Sequence, residues 1–188
     1  MRHWLLTSTT YGTWLPGDSR GSVTSVRDLR YDDPDTICRI EHDIPGEPYE
    51  AAIPTLEQAA RGRLKCAPIY FGQEHASIIV PQFLETANYR QWNLLAAAVM
   101  YNHFHLVVEV PGDPSPDKIL GDFKAYASRA LNRRFRKPLS ETWWTSGGSM
   151  RKLGDPIALR AGANYVLVKQ PKPLVVWMPA SVEQSEPS

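Results

Sequence analysis

The amino-acid sequence predicts an α+β fold, an antiparallel sheet with helices packed on one face. Three observations carry the prediction. His103 to Val110 (HFHLVVEV) alternates as a strand does, with Phe104, Leu106, Val108 and Val110 on a wholly apolar face and His103, His105, Val107 and Glu109 on the other. Trp92 to Met100 is a second apolar run, joined to the first through Tyr101-Asn102, so the two read as a central hairpin. Two longer stretches, 73–90 and 117–135, space their apolar residues at helical intervals instead. The resulting order is strand, helices, two adjacent strands, a long helix, an edge strand and a last helix. It packs naturally as a ferredoxin-like sandwich.

Taken in order, His3 to Thr10 is the first strand, and Pro16-Gly17 marks a turn after it. Residues 20–54 carry few periodic apolar residues and several prolines, and read as an irregular excursion. Thr55 to Leu64 is a short helix capped by Thr55, with Gln58 three residues on. Pro68 to Phe71 is a candidate short strand. Gln73 to Arg90 is a helix that Pro81 should kink or split. Asp117 to about Phe135 is the clearest helix, its stripe being Leu120, Phe123, Ala127, Ala130 and Leu131. Met150 to Leu153 suits an edge strand. Asp155 caps a last helix with Pro156 at its first position, running to about Lys169 before Pro171. That helix is apolar on two sides, Ile157, Ala161 and Val168 on one and Leu159, Ala163 and Val166 on the other, so burial of both is expected. Leu174 to Met178 is apolar enough to dock on the domain. Residues 1–170 thus read as one domain and 171–188 as a tail, loose at its end.

A length of 188 residues, 43% of them hydrophobic and six of them Trp, is ample for one real core. The net charge of +1 excludes nothing, but charge is unevenly placed. Residues 27–50 hold eight acidic and three basic side chains, while 118–137 hold seven basic and one acidic. Cys38 and Cys66 lack metal-type spacing and read as free thiols of a reducing compartment. With neither an apolar leader nor a span of roughly 18 apolar residues, a cytoplasmic protein without a membrane partner is expected.

Candidate site residues follow from the pattern. His103 and His105, two apart on one strand, share a face and can grip one metal ion. The bland reading is two polar rings on a solvated face. Lys118, Arg129, Arg133 and Arg136 cluster on one side of the long helix, and Lys124, Arg134 and Lys137 add to its charge. A solvated basic face is the ordinary explanation; the lack of balancing acid favours a phosphate backbone. Trp14, Trp143 and Trp144 are candidates for stacking on unpaired bases, against a core role for each. Tyr126 lies at the border between the two faces of the basic helix, and Tyr165 at the edge of the first apolar stripe of the last helix. His75 reads as a solvated residue.

The run MYNHFHLVVEV resembles the His-hydrophobe-His motif of the single-tyrosine HUH transposases, which include insertion-sequence transposases and REP-associated tyrosine transposases. TYGTWLPGD (10–18), GDFKAYASRALNRRF (121–135), WWTSGGSMRKL (143–153) and NYVLVKQ (164–170) extend the likeness over most of the chain outside 20–64 and the tail. The resemblance implies cleavage of single-stranded DNA by a tyrosine oxygen, a covalent 5′-phosphotyrosine link, a free 3′-hydroxyl, and rejoining by the reverse attack. It implies a divalent metal, Mg²⁺ or Mn²⁺, with His103 and His105 as ligands. A tyrosine on a helix well after the histidines points to Tyr165, with Tyr126 as the rival. In related transposases a glutamine one turn past the tyrosine completes the metal site; here Lys169 stands one turn on and Gln170 one residue later. Gln170 then reaches the ion only if the helix end unwinds before Pro171, and Lys169 is a candidate for binding phosphate. Related enzymes work as dimers that exchange the tyrosine helix or as monomers, and both remain open.

Two other readings compete. A nucleic-acid-binding module that had lost cleavage would explain the shifted glutamine but not the intact histidine pair. A metal-dependent phosphoesterase for small substrates would use the histidines but has no need of the extended basic helix.

Overall fold

The computed structural model describes residues 1–19, 27–28, 38–39 and 53–180. The chain divides into two compact units, Met1–Thr13 with Lys65–Ser188, and Trp14–Leu64. Most of the acidic excursion at 20–54 lies outside the described residues.

Trp14–Leu64 contains the short antiparallel pair β2 (Arg27–Asp28) and β3 (Cys38–Arg39), and α1 (Pro54–Gly62). The cap expected at Thr55 falls two residues earlier. Pro54 sits in the first turn, where a missing N–H is no loss, and Ile53 precedes it as N-cap without a side-chain bond. The turn before it requires glycine: Gly17 has φ +85°, and a Cβ there would lie 2.4 Å from the Ile53 carbonyl oxygen.

The larger unit is built on β1 (Arg2–Thr9), α2 (Gln73–Tyr89), β4 (Asn93–Val99), β5 (His103–Val110), α3 (Pro116–Arg134), β6 (Ser149–Leu153), α4 (Pro156–Leu167) and β7 (Val175–Trp177). Its sheet is antiparallel throughout, in the order β6-β1-β5-β4-β7. The α+β architecture is therefore as the sequence predicts. β5 occupies the centre, paired on both sides, with six of its eight residues buried. The apolar run at Leu174 to Met178 docks as β7 on the far edge.

Phe104, Leu106, Val108 and Val110 of β5 pack with Ile79, Val80 and Phe83 of α2, Phe123, Ala127 and Leu131 of α3, and both Trp143 and Trp144. Those two helices share one face, but the expectation that the helices all pack on one face fails for α4, because Val107 and the β4 alanines make the second face apolar as well. α4 lies on the other, over Ala96, Ala98, Met100, Val107 and Leu153, with its own Val166 fully buried there. The alanines of β4 leave room for its backbone to approach. Only one of its two apolar sides is used: Leu159 and Val166 face the sheet, while Ile157 is 73% and Val168 68% exposed. A second layer to cover that stripe would be needed, and the described residues of this unit hold none.

Three further details differ from the sequence reading. α2 runs unbroken through Pro81. Residues 68–71 are not a strand, although their backbone is tied to the sheet end. α4 ends at Leu167, two residues short of Lys169. Residue 170 precedes Pro171, whose ring disfavours helical backbone before it, so the last turn opens early.

Candidate active site

The α4 face of the sheet carries the histidine pair. His103 and His105 sit two apart on β5, with ring centroids 4.9 Å apart. Strand pairing puts Thr9 opposite His103 and Thr7 opposite His105, so both threonines share their face. The Thr7 hydroxyl lies 2.6 Å from His105 Nδ1. Asn102 Oδ1 lies 2.7 Å from His103 Nδ1 and, as an acceptor, fixes the proton there. Each ring thus has Nδ1 engaged by a neighbour that orients it. The Thr9 hydroxyl donates to Thr145 Oγ1 (2.9 Å), and Thr145 donates to the Thr10 carbonyl (3.0 Å).

Tyr165 enters from α4. Its ring centroid is 5.1 Å from that of His105, edge on, and the residue is 42% exposed. It is thus held against the histidine while open to solvent. Because α4 ends at Leu167, Gln170 turns back: its Nε2 donates to the Tyr165 carbonyl (3.0 Å), and its side chain also hydrogen-bonds His105. The unwinding on which Gln170 depended does occur. Lys169 is exposed at the same helix end.

His105 is almost fully buried, and that burial, with the neighbouring His103 adding to it and the Gln170 bond opposing both, lowers its pKa to about 3. Near pH 7 its imidazole is neutral, the form that coordinates metal. Among the described residues no three His, Cys, Asp or Glu side chains converge. A metal held here would therefore draw on two imidazoles and the Gln170 amide oxygen, a donor set that suits a divalent transition ion such as Mn²⁺.

The other sequence candidates lie elsewhere. Tyr126 is on α3, against Tyr89 of α2 (6.1 Å) and under the Arg129 guanidinium (4.8 Å), with the sheet between it and the histidines. Trp143 and Trp144 cannot offer a face to bases, because both are buried. Their indole N–H groups donate to Asn132 Oδ1 (2.8 Å) and to Ser128 Oγ (2.9 Å), anchoring the loop under α3. Trp14 is half-buried in the smaller unit. Lys124 is largely buried, with its Nζ donating to the carbonyls of Thr145 (2.6 Å) and Gly147 (2.8 Å), so it braces the loop after Trp144. Arg133 donates to Gln82 (3.2 Å), Arg134 pairs with Glu74, and Lys118 lies 3.6 Å from Asp122. Arg129 is exposed on α3; Arg136 is exposed too, but it lies two residues past the end of α3 at Arg134 and so is not on the helix face where the sequence placed it. His75 is not a solvated residue: its ring stacks on Phe135 at 4.2 Å, and burial lowers its pKa despite the nearby Glu74.

Sequence reasoning missed Thr7 and Asn102, the partners that orient the rings. Asn102 had a signal, since it adjoins the motif. Thr7 had none, because only strand pairing places it opposite His105.

The family model described as "Transposase IS200 like" matches residues 69–166, just over half of the chain, with both histidines and Tyr165 inside and Gln170 beyond. Among solved structures, one titled "Structure of the REP associates tyrosine transposase bound to a REP hairpin" is similar at 10% identity and a TM-score of 0.47, over 89% of this chain. The chain spans 66% of that structure's length, a little under two thirds. No curated protein matches it. No helix among the described residues is long and apolar enough to cross a membrane.

Proposed function

Because the chain belongs to the IS200-like transposase family, we propose that it nicks and rejoins single-stranded DNA through a covalent tyrosyl-DNA intermediate. The observation that carries this reading is Tyr165 held edge-on to His105 with Gln170 folded against both. The Tyr165 oxygen would attack a phosphodiester. An oxygen–phosphorus bond forms to the 5′ side, the bond to the 3′ oxygen breaks, and the phenolic proton is balanced by the new 3′-hydroxyl. Attack by a 3′-hydroxyl on the same link restores a phosphodiester and the free tyrosine, without an external energy source.

His103, His105 and Gln170 would hold a divalent cation, Mg²⁺ or Mn²⁺, which would polarise the phosphate and offset its developing charge. Thr7 and Asn102, which engage Nδ1 of each ring, would keep the rings oriented for that role. The exposed cations of α3, with Lys169 at the end of α4, would supply backbone attraction for a single strand or hairpin. Tyrosine and histidine meet within one chain, which supports a catalytic unit complete without exchange of the tyrosine helix; a homodimer would then be a matter of DNA geometry.

The test is a covalent-adduct assay with labelled hairpin DNA and Mn²⁺, followed by denaturing electrophoresis. Wild type and Tyr126→Phe should yield DNA-linked protein, and Tyr165→Phe none. Tight, salt-sensitive binding without any adduct would favour instead a DNA-binding module that has lost cleavage.

A further inference from the structure

The end of the sheet that carries His103 also carries two exposed tyrosines. The rings of Tyr70 and Tyr101 stack with centroids 5.6 Å apart and planes within 13°. Even so, they remain 57% and 53% exposed. One exposed tyrosine is ordinary. Two held parallel on a fixed backbone, with so much ring area left in water, are more than packing asks for.

The backbone beneath them is fixed. The Phe71 N–H donates to the Tyr101 carbonyl (2.6 Å), the Ile69 N–H to the Tyr11 carbonyl (2.9 Å), and the Thr10 hydroxyl to the Ile69 carbonyl (2.6 Å). Tyr70 is thus bracketed by residues tied to the sheet end. Tyr101 immediately precedes Asn102, the residue that orients His103. The pair therefore stands at the end of the sheet where β5 begins at His103, on hydrogen-bonded backbone.

We propose that Tyr70 and Tyr101 form a stacking platform for an unpaired nucleobase of the strand presented to His103 and Tyr165; this rests on the single-strand reading above. A base inside a duplex already stacks on its neighbours, whereas an unpaired base has a bare face to cover. An outward tyrosine face would extend the existing two-ring stack by one member. Such a platform reads strandedness more than sequence, because every base has a π face. It also fills the role that buried Trp143 and Trp144 cannot.

The experiment is fluorescence anisotropy of a labelled single-stranded oligonucleotide in EDTA, so that cleavage plays no part. Tyr101→Ala should weaken single-strand binding roughly 5- to 150-fold, the equivalent of about 1–3 kcal/mol for one stacked base. Tyr101→Phe should restore it, and Tyr70→Ala should fall between. Binding of a duplex of the same length should not change. The slope of log affinity against log salt should also hold, since stacking releases no counterions. An abasic site walked along the strand should reproduce the loss at one position in wild type and add nothing there in Tyr101→Ala. The proposal is overturned if both alanine variants, with unchanged unfolding midpoints, bind single strands as wild type does. It is equally overturned if wild type shows no preference for single strands, or if the variants lose duplex binding in parallel. Adduct formation separates the two readings. A platform effect in a protein that forms no adduct would sink cleavage alone, and an adduct with no platform effect would sink the platform alone.

Discussion

Gly148 shows how one residue can reach the histidines through its neighbour. Its φ is +155°, and a Cβ there would lie 2.5 Å from both the Thr7 carbonyl oxygen and Leu120 Cδ2. The leucine can rotate away; the carbonyl belongs to β1 and cannot. Thr7 in turn holds His105 at 2.6 Å. Gly148→Ala should therefore cost about 1–3 kcal/mol in urea unfolding and sharply reduce adduct yield. Gly147→Ala, also at positive φ but with nothing within 4 Å, should lose about 1 kcal/mol and keep its adduct. Equal adduct loss in both would show that the loop, not Thr7, matters. Lys124 gives a second test at this scale. Burial lowers its pKa from the usual 10.5 to about 8. Below pH 8 the lysine is charged in both folded and unfolded chains, and its burial cost is fully present. Between pH 8 and 10.5 the unfolded chain binds more protons, so the folded state gains stability as pH rises. The stability of wild type relative to Lys124→Met should climb across that window in paired urea titrations. A flat difference would mean that Lys124 keeps an ordinary pKa.

At the scale of elements, the end of α4 decides whether Gln170 can serve as the proposed third ligand. A helix continuing to residue 170 would carry Gln170 away from Tyr165 and place Lys169 one turn beyond it. The early end at Leu167 folds Gln170 back onto Tyr165 and His105 instead. Pro171 is the physical cause, since its ring disfavours helical backbone at residue 170. Pro171→Ala should let the helix gain residues, shown by higher helical circular dichroism, and should lower Mn²⁺ affinity and adduct yield without loss of stability. Unchanged Mn²⁺ affinity would remove Gln170 from the ligand set.

Across the larger unit, the sheet stands between α3 and the histidine pair, so on the proposed reading attraction and chemistry would occupy opposite faces. A strand bound by both must pass around a sheet edge. Arg129→Ala and Arg136→Ala should each weaken binding to all sequences alike and reduce the salt slope by about one unit or a little less. The adduct rate at saturating DNA should stay near wild type, because neither guanidinium would touch the scissile phosphate. A slower rate at saturation would place α3, or for Arg136 the segment just after it, at the cleavage site and overturn this division of labour.

The sequence by itself determined the parts whose periodicity needs no partner. β5 was legible because its apolar and polar residues alternate, and α3 because five apolar residues fall on one stripe. The His-x-His pair followed from β5, and the family likeness followed from the pair with its flanking stretches. Tertiary structure alone decided what depends on long-range pairing. Tyr126 and Tyr165 are both amphipathic helical tyrosines, and only the side of the sheet on which each helix packs separates them. Trp143 and Trp144 look alike whether they stack on bases or fill a core, until α3 is laid over them. Thr7 lies 98 residues before His105, and only the register of β1 on β5 brings the hydroxyl to the ring. Local period is written in neighbouring residues, whereas faces, registers and burial are properties of elements that meet only when the chain folds.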